Sequence, residues 1–121
     1  MDRILIVEDN LITSMHLELM LIRQGHSVIG KLTYAEDVKD FVLEKNASLI
    51  FMDVMLDGDM TGIDAAVEVR EHKAVPIIFL TALTDSNTRK KIEKLDNTYI
   101  ISKPFDNAKI EEIIGSISVV S

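Results

Sequence analysis

Five short apolar runs alternate with amphipathic segments along the chain, and this alternation constrains the fold more than any other feature. The runs are Ile4–Val7 (ILIV), Ser27–Gly30 (SVIG), Leu49–Met52 (LIFM), Pro76–Leu80 (PIIFL) and Tyr99–Ile101 (YII). Each is short, rich in β-branched residues and bounded by polar or turn residues, which is the pattern of a strand. Three are nearly continuous in apolar character, as parallel strands covered on both faces should be. Between them, Leu11, Met15, Leu19 and Ile22 recur at helical spacing. So do Val38, Phe41 and Val42, then Ile63, Ala66 and Val67, then Ile110, Ile113, Ile114 and Ile117. Thr33 and Asp85 suit helix N-caps, and Gly25 suits a helix stop. Five strands alternating with five helices predict an α/β fold, doubly wound about a parallel sheet. Right-handed crossovers leave few topologies.

Length and charge narrow the function. A chain of 121 residues is one domain, large enough to bury a core without staples. The absence of cysteine excludes disulfides and thiolate metal sites and fits a reducing compartment. The net charge of −7 argues against direct nucleic-acid binding, which cationic side chains drive. No apolar run reaches membrane-spanning length, and the N-terminus turns acidic too soon for a signal peptide. The expectation is a soluble cytoplasmic domain with no linker, repeat or low-complexity tract.

In a doubly wound sheet the functional crevice lies at the carboxyl ends of the strands. Glu8 and Asp9 follow the first apolar run, Asp53 the third, Thr81 the fourth, and Lys103 with Pro104 the fifth. Three carboxylates at one sheet edge repel one another unless a positive charge sits among them. Oxygen donors without cysteine or a suitably placed histidine favour a hard cation, and Mg²⁺ fits best. A carboxylate nucleophile, a divalent cation, an ammonium and a hydroxyl together suit phosphoryl transfer. Each residue also has an ordinary explanation as a cap, turn or strand terminator. Only their joint order along one sheet is specific.

With "ILIVEDN", "LIFMDVML", "PIIFLTA" and "ISKPF" in place, the chain resembles a response-regulator receiver domain of two-component signalling over essentially its full length. The resemblance implies a flavodoxin-like (βα)5 fold with sheet order 2-1-3-4-5, and a single domain over 1–121 without an effector domain. It implies that Asp53 accepts a phosphoryl group from a histidine kinase or phosphotransfer protein. Asp9 would ligate Mg²⁺ directly and Glu8 largely through water, with Asp53 and the backbone carbonyl of Met55 completing the protein's share. Lys103 would pair with the carboxylate and phosphoryl oxygens, and Thr81 would move to bond the phosphoryl group. The Lys103–Pro104 peptide would be cis. The output would be a surface of the fourth helix, fifth strand and fifth helix, acting on an unknown partner, with the chain a monomer or a phosphorylation-dependent homodimer. Such a domain is a signalling switch and not a turnover enzyme.

The sequence departs from the family's pattern in several places. The aromatic residue that reports activation usually stands three positions before the lysine; here that position is Ile100, with Tyr99 one earlier. Either a bulge in "YIIS" restores Tyr99 to the family's place, the favoured expectation, or the chain lacks the usual aromatic toggle. Asp57 stands where many receivers have proline, and Gly62 opens its helix one residue late. Asp57 and Asp59 are expected to be solvated. Two positions that tune phosphoryl lifetime map to Met55 and Leu83, both apolar. The segment Asp85–Leu95 is the least apolar helix, with Ile92 and Leu95 its only obvious anchors and four cationic residues, Arg89, Lys90, Lys91 and Lys94. His16, His26 and His72 form no ligand pair.

Three other functions are open to this fold. A flavin- or nucleotide-binding module needs a phosphate-cradling turn after the first strand, where Glu8 and Asp9 would repel it. An aspartate-nucleophile phosphatase of the haloacid dehalogenase type needs a second aspartate two residues after the first, where Met55 cannot shuttle a proton. A pseudo-receiver, binding a partner without taking phosphate, is the serious rival.

Overall fold

The computed structural model describes residues 3–82 and 86–120. Its five strands are β1 (Arg3–Val7), β2 (Ser27–Leu32), β3 (Leu49–Asp53), β4 (Ile77–Thr81) and β5 (Thr98–Ser102). They alternate with α1 (Leu11–Arg23), α2 (Val38–Lys45), α3 (Gly62–Arg70), α4 (Ser86–Glu93) and α5 (Asn107–Val120). The sheet order is β2-β1-β3-β4-β5 and every pairing is parallel. A 3₁₀ turn, Ala35–Asp37, precedes α2, an element that the apolar alternation does not mark.

Alternation along the strands divides the core in two. Leu5, Val7, Ile50, Met52, Ile77 and Phe79 pack on one face against Val38 and Val42 of α2, Ala65, Ala66 and Val69 of α3, and Ile92 of α4. Ile4, Ile6, Phe51, Ile78 and Leu80 pack on the other against Leu17, Met20 and Leu21 of α1 and Ile110 and Ile114 of α5. A strand buried on both faces must be apolar at successive positions, and the central strands are.

Local chemistry sets the helix ends. Asn10 caps α1 by accepting a hydrogen bond from Thr13 N–H at 3.1 Å. Thr61 and Asp64 form a capping box at the start of α3. Gly25, at φ 89°, turns the chain after α1 as expected. Thr33 is not an N-cap: it lies in a bend, and the turn begins two residues later without a side-chain cap. Asp85 lies outside the described residues.

The spacing that marks α1 as a helix does not lie on its buried face. Leu11, Met15, Leu19 and Ile22 point to solvent, while Ser14, Leu17, Met20 and Leu21 are buried. This helix is apolar on both sides, so spacing identifies it without choosing which side the sheet covers.

Candidate functional site

The strand tips converge as the alternation requires. Strand order reverses between β1 and β3, which opens a crevice at their carboxyl ends. Glu8 and Asp9 leave β1 there, Asp53 ends β3, Thr81 ends β4, and Lys103 follows β5. Carboxylate oxygens of Glu8, Asp9 and Asp53 lie within 4.8 Å of one another. Lys103 Nζ lies among them, donating to Glu8 Oε1 at 2.7 Å and to Asp53 Oδ2 at 2.8 Å. Thr81 is buried at the adjacent strand tip, and its carbonyl accepts from Lys103 N–H at 2.9 Å. The Lys103–Pro104 peptide is cis, as expected.

The two charged groups that face each other titrate abnormally. Burial pushes the Glu8 carboxyl above its ordinary value; hydrogen bonds from Lys103 and from Asn10 N–H, the latter to Oε2 at 3.1 Å, only partly offset it. Burial opposes the charge on Lys103, but hydrogen bonds to Asp53 and Glu8 outweigh it and hold the ammonium above its ordinary value. Glu8 is only 2% exposed, so a neutral partner would leave its charge unpaired.

Two backbone contacts fix Asp53. Met55 N–H donates to Asp53 Oδ1 at 3.3 Å. Gly62 lies so close that a Cβ there would strike the Asp53 carbonyl oxygen. Gly62 and Asn10 are the site residues whose roles spacing did not reveal. The "EDN" run hints at a cap, but nothing local shows that residue 62 meets the tip of β3.

The sequence model of the response regulator receiver domain matches residues 4–115. The chain belongs to the response-regulator receiver family. This receiver is 34% identical over 113 residues to the phyllosphere-induced regulator PhyR of Methylorubrum extorquens, covering 93% of this chain and 42% of that protein. It is 34% identical over 123 residues to the response regulator ArlR of Staphylococcus aureus, covering 99% and 52%. The chain thus spans about half the length of the curated relatives it matches. The solution structure of the receiver domain of PhyR from Erythrobacter litoralis superposes with a TM-score of 0.82 at 26% identity, covering 98% of this chain and 90% of that one.

In this receiver the expected bulge in β5 is absent. The β4–β5 register runs without a shift from Ile77 opposite Thr98 to Thr81 opposite Ser102. Ile100 therefore holds the position three before Lys103, packed with the α3 and α4 cluster. Tyr99 faces the α1 and α5 cluster, its hydroxyl 3.2 Å from Asn97 Oδ1. One residue of offset in a regular strand sends a side chain to the other face. Among the described strands the register shift falls instead between β1 and β2, at Ile4/Leu5. Leu83 lies outside the described residues, and Met55 is 61% exposed. No helix among the described residues is long and apolar enough to cross a membrane.

Receivers bind Mg²⁺ at an acidic pocket, and the donor set here fits one. It consists of carboxylate oxygens close enough to share one cation, without sulfur or imidazole, which is the chemistry a hard divalent ion prefers.

Proposed function

We propose that this domain is a phosphorylation-activated switch in which Asp53 accepts a phosphoryl group from a histidine kinase or phosphotransfer protein. The supporting observation is the Lys103 ammonium seated between Glu8 and Asp53, beside Asp9, at the open end of the sheet. An Asp53 carboxylate oxygen attacks phosphorus, a P–O bond forms, and the P–N bond to the donor histidine breaks. The imidazole leaves with the bonding pair and takes up a proton. Asp9, Asp53 and the Met55 carbonyl would hold Mg²⁺, with Glu8 acting through water. The cation, when bound, neutralises charge on the transferring oxygens. Lys103 keeps an ammonium at the acceptor carboxylate, and the Thr81 hydroxyl bonds the phosphoryl group once it is attached.

The surface of α1 supports a helical donor. Ile12, Met15, Leu19 and Ile22 repeat at three- and four-residue spacing on its solvent side, Ile12 being 80% exposed. This apolar seam begins beside the site, one turn from Asp9, and a donor helix laid along it would bring a histidine to Asp53. The output surface is α4, β5 and α5, and the domain works in the cytoplasm, where histidine kinases draw on ATP.

The test is intact mass after incubation with acetyl phosphate and Mg²⁺, with Asp53→Asn as control. One added phosphoryl group on the native chain and none on the control is expected. No adduct on folded, Mg²⁺-binding protein would favour the pseudo-receiver.

A further inference from the structure

The loop that leads away from Asp53 is closed at its neck and pinned at its tip. At the neck, Gly62 N–H donates to the Val54 carbonyl at 2.7 Å. At the tip, Asp57 forms an isolated parallel β-bridge with Tyr34, in the segment between β2 and the 3₁₀ turn. Gly58 follows at φ 88°, a conformation that favours glycine. A Cβ at Gly58 would sit 2.9 Å from a Glu36 carboxylate oxygen and 3.1 Å from the Tyr34 ring. The ring and the carboxylate thus lie against bare backbone. Leu56 and Met60, flanking the tip, pack half-buried into the cluster that contains Ala35.

This anchorage lies two residues from the Met55 peptide, whose N–H reaches Asp53 Oδ1 at 3.3 Å. That distance is at the long end for an N–H···O bond, where a small displacement of the loop breaks it. The tip also needs a tertiary hold, because Asp57, Gly58 and Asp59 are exposed and offer no core contact of their own.

We propose that Tyr34 and Gly58 are positioning residues for Asp53: their contact latches loop 54–61 to the β2 side of the sheet and fixes the Met55 peptide. Through the backbone of Met55 the latch sets two groups: the N–H that orients the Asp53 carboxylate and, on the function proposed above, the carbonyl of the following peptide, which holds the cation. Neither residue touches the reacting atoms.

The test compares Tyr34→Ala, Tyr34→Phe and Gly58→Ala in the full chain. Three readouts are taken: Mg²⁺ affinity by calorimetry, amide exchange over 54–61, and the rate of Asp53 phosphorylation by acetyl phosphate. Tyr34→Ala and Gly58→Ala are expected to weaken Mg²⁺ binding, to speed exchange in the loop, and to slow phosphorylation about tenfold, since small misplacements near a reacting group are costly. Tyr34→Phe, which keeps the ring, is expected to match the native chain in all three. Should Gly58→Ala not fold, the two Tyr34 variants carry the test. The latch is overturned if Tyr34→Ala leaves Mg²⁺ affinity and loop exchange unchanged, or if Tyr34→Phe is as impaired as Tyr34→Ala. If the native chain takes no phosphoryl group, the proposed function fails, while Mg²⁺ affinity and exchange still decide the latch.

Discussion

Lys103 Nζ lies 2.8 Å from Asp53 Oδ2, although fifty residues separate the two in sequence. The same ammonium holds Glu8, whose carboxyl burial has pushed above its ordinary value of 4.5. Between 4.5 and that raised value the folded chain binds more protons than the unfolded one, so Glu8 makes stability fall as pH rises. Glu8→Gln is expected to raise stability near neutral pH, read as a higher Tm, because the neutral amide avoids the cost of charging a buried carboxyl. The advantage should vanish as pH falls below 4.5. Lys103 acts at the other limit. Its contribution is complete below its ordinary value of 10.5 and is lost as pH rises through the higher folded value. Thermal melts across this range in chelator measure both; a Glu8→Gln chain less stable than native near neutral pH would contradict the first.

The seam on α1 should separate two kinds of phosphorylation. Ile12→Asp alters an exposed side chain, so stability should change by no more than about 0.5 kcal/mol. Phosphorylation by acetyl phosphate should be unaffected. Transfer from a cognate phosphohistidine donor should slow at least about tenfold, the equivalent of roughly 1.4 kcal/mol of lost docking. Equal rates from the protein donor would rule out α1 as its contact.

Helix α4 should be the most labile of the described helices. Ile92 is its only buried residue, and Thr98 Oγ1 ties down its C-terminal end, 3.0 Å from the Ile92 carbonyl and 2.9 Å from that of Leu95. Its amides are expected to exchange faster than those of β4, every residue of which is buried. Phosphorylation of Asp53 should change that rate, and exchange indifferent to phosphate would argue against α4 as the output element.

Met55 should govern how long the phosphoryl group survives. Its exposed apolar side chain follows Asp53 by two residues, where a polar group would help hold the hydrolytic water. Met55→Asn is expected to shorten the lifetime several-fold, an effect of about 1 kcal/mol on the barrier. Decay of the phosphorylated mass with time gives the answer, and an unchanged decay would remove Met55 from this role.

Much of this molecule was legible before folding. Each strand carries its own signal, since burial on both faces forces apolar residues at successive positions. Glu8, Asp9, Asp53, Thr81 and Lys103 could be found because a parallel sheet brings every strand's carboxyl end to one edge. What lay beyond the sequence depends on which neighbour covers a given face. Helix α1 is apolar on two sides, and only docking on the sheet decided that Leu17 and Leu21 are core while Ile12 and Met15 meet solvent. Tyr99 and Ile100 are both able to fill a strand, and only the unbroken pairing with β4 decided that Ile100 stands over α3 and α4. The contact of Gly58 with Tyr34, and of Gly62 with the Asp53 carbonyl, joins segments with no shared periodicity. Elements and the chemistry at their ends follow from local pattern and can be read along the chain; faces and loop contacts are set by which surfaces packing brings together, and so emerge only in the folded molecule.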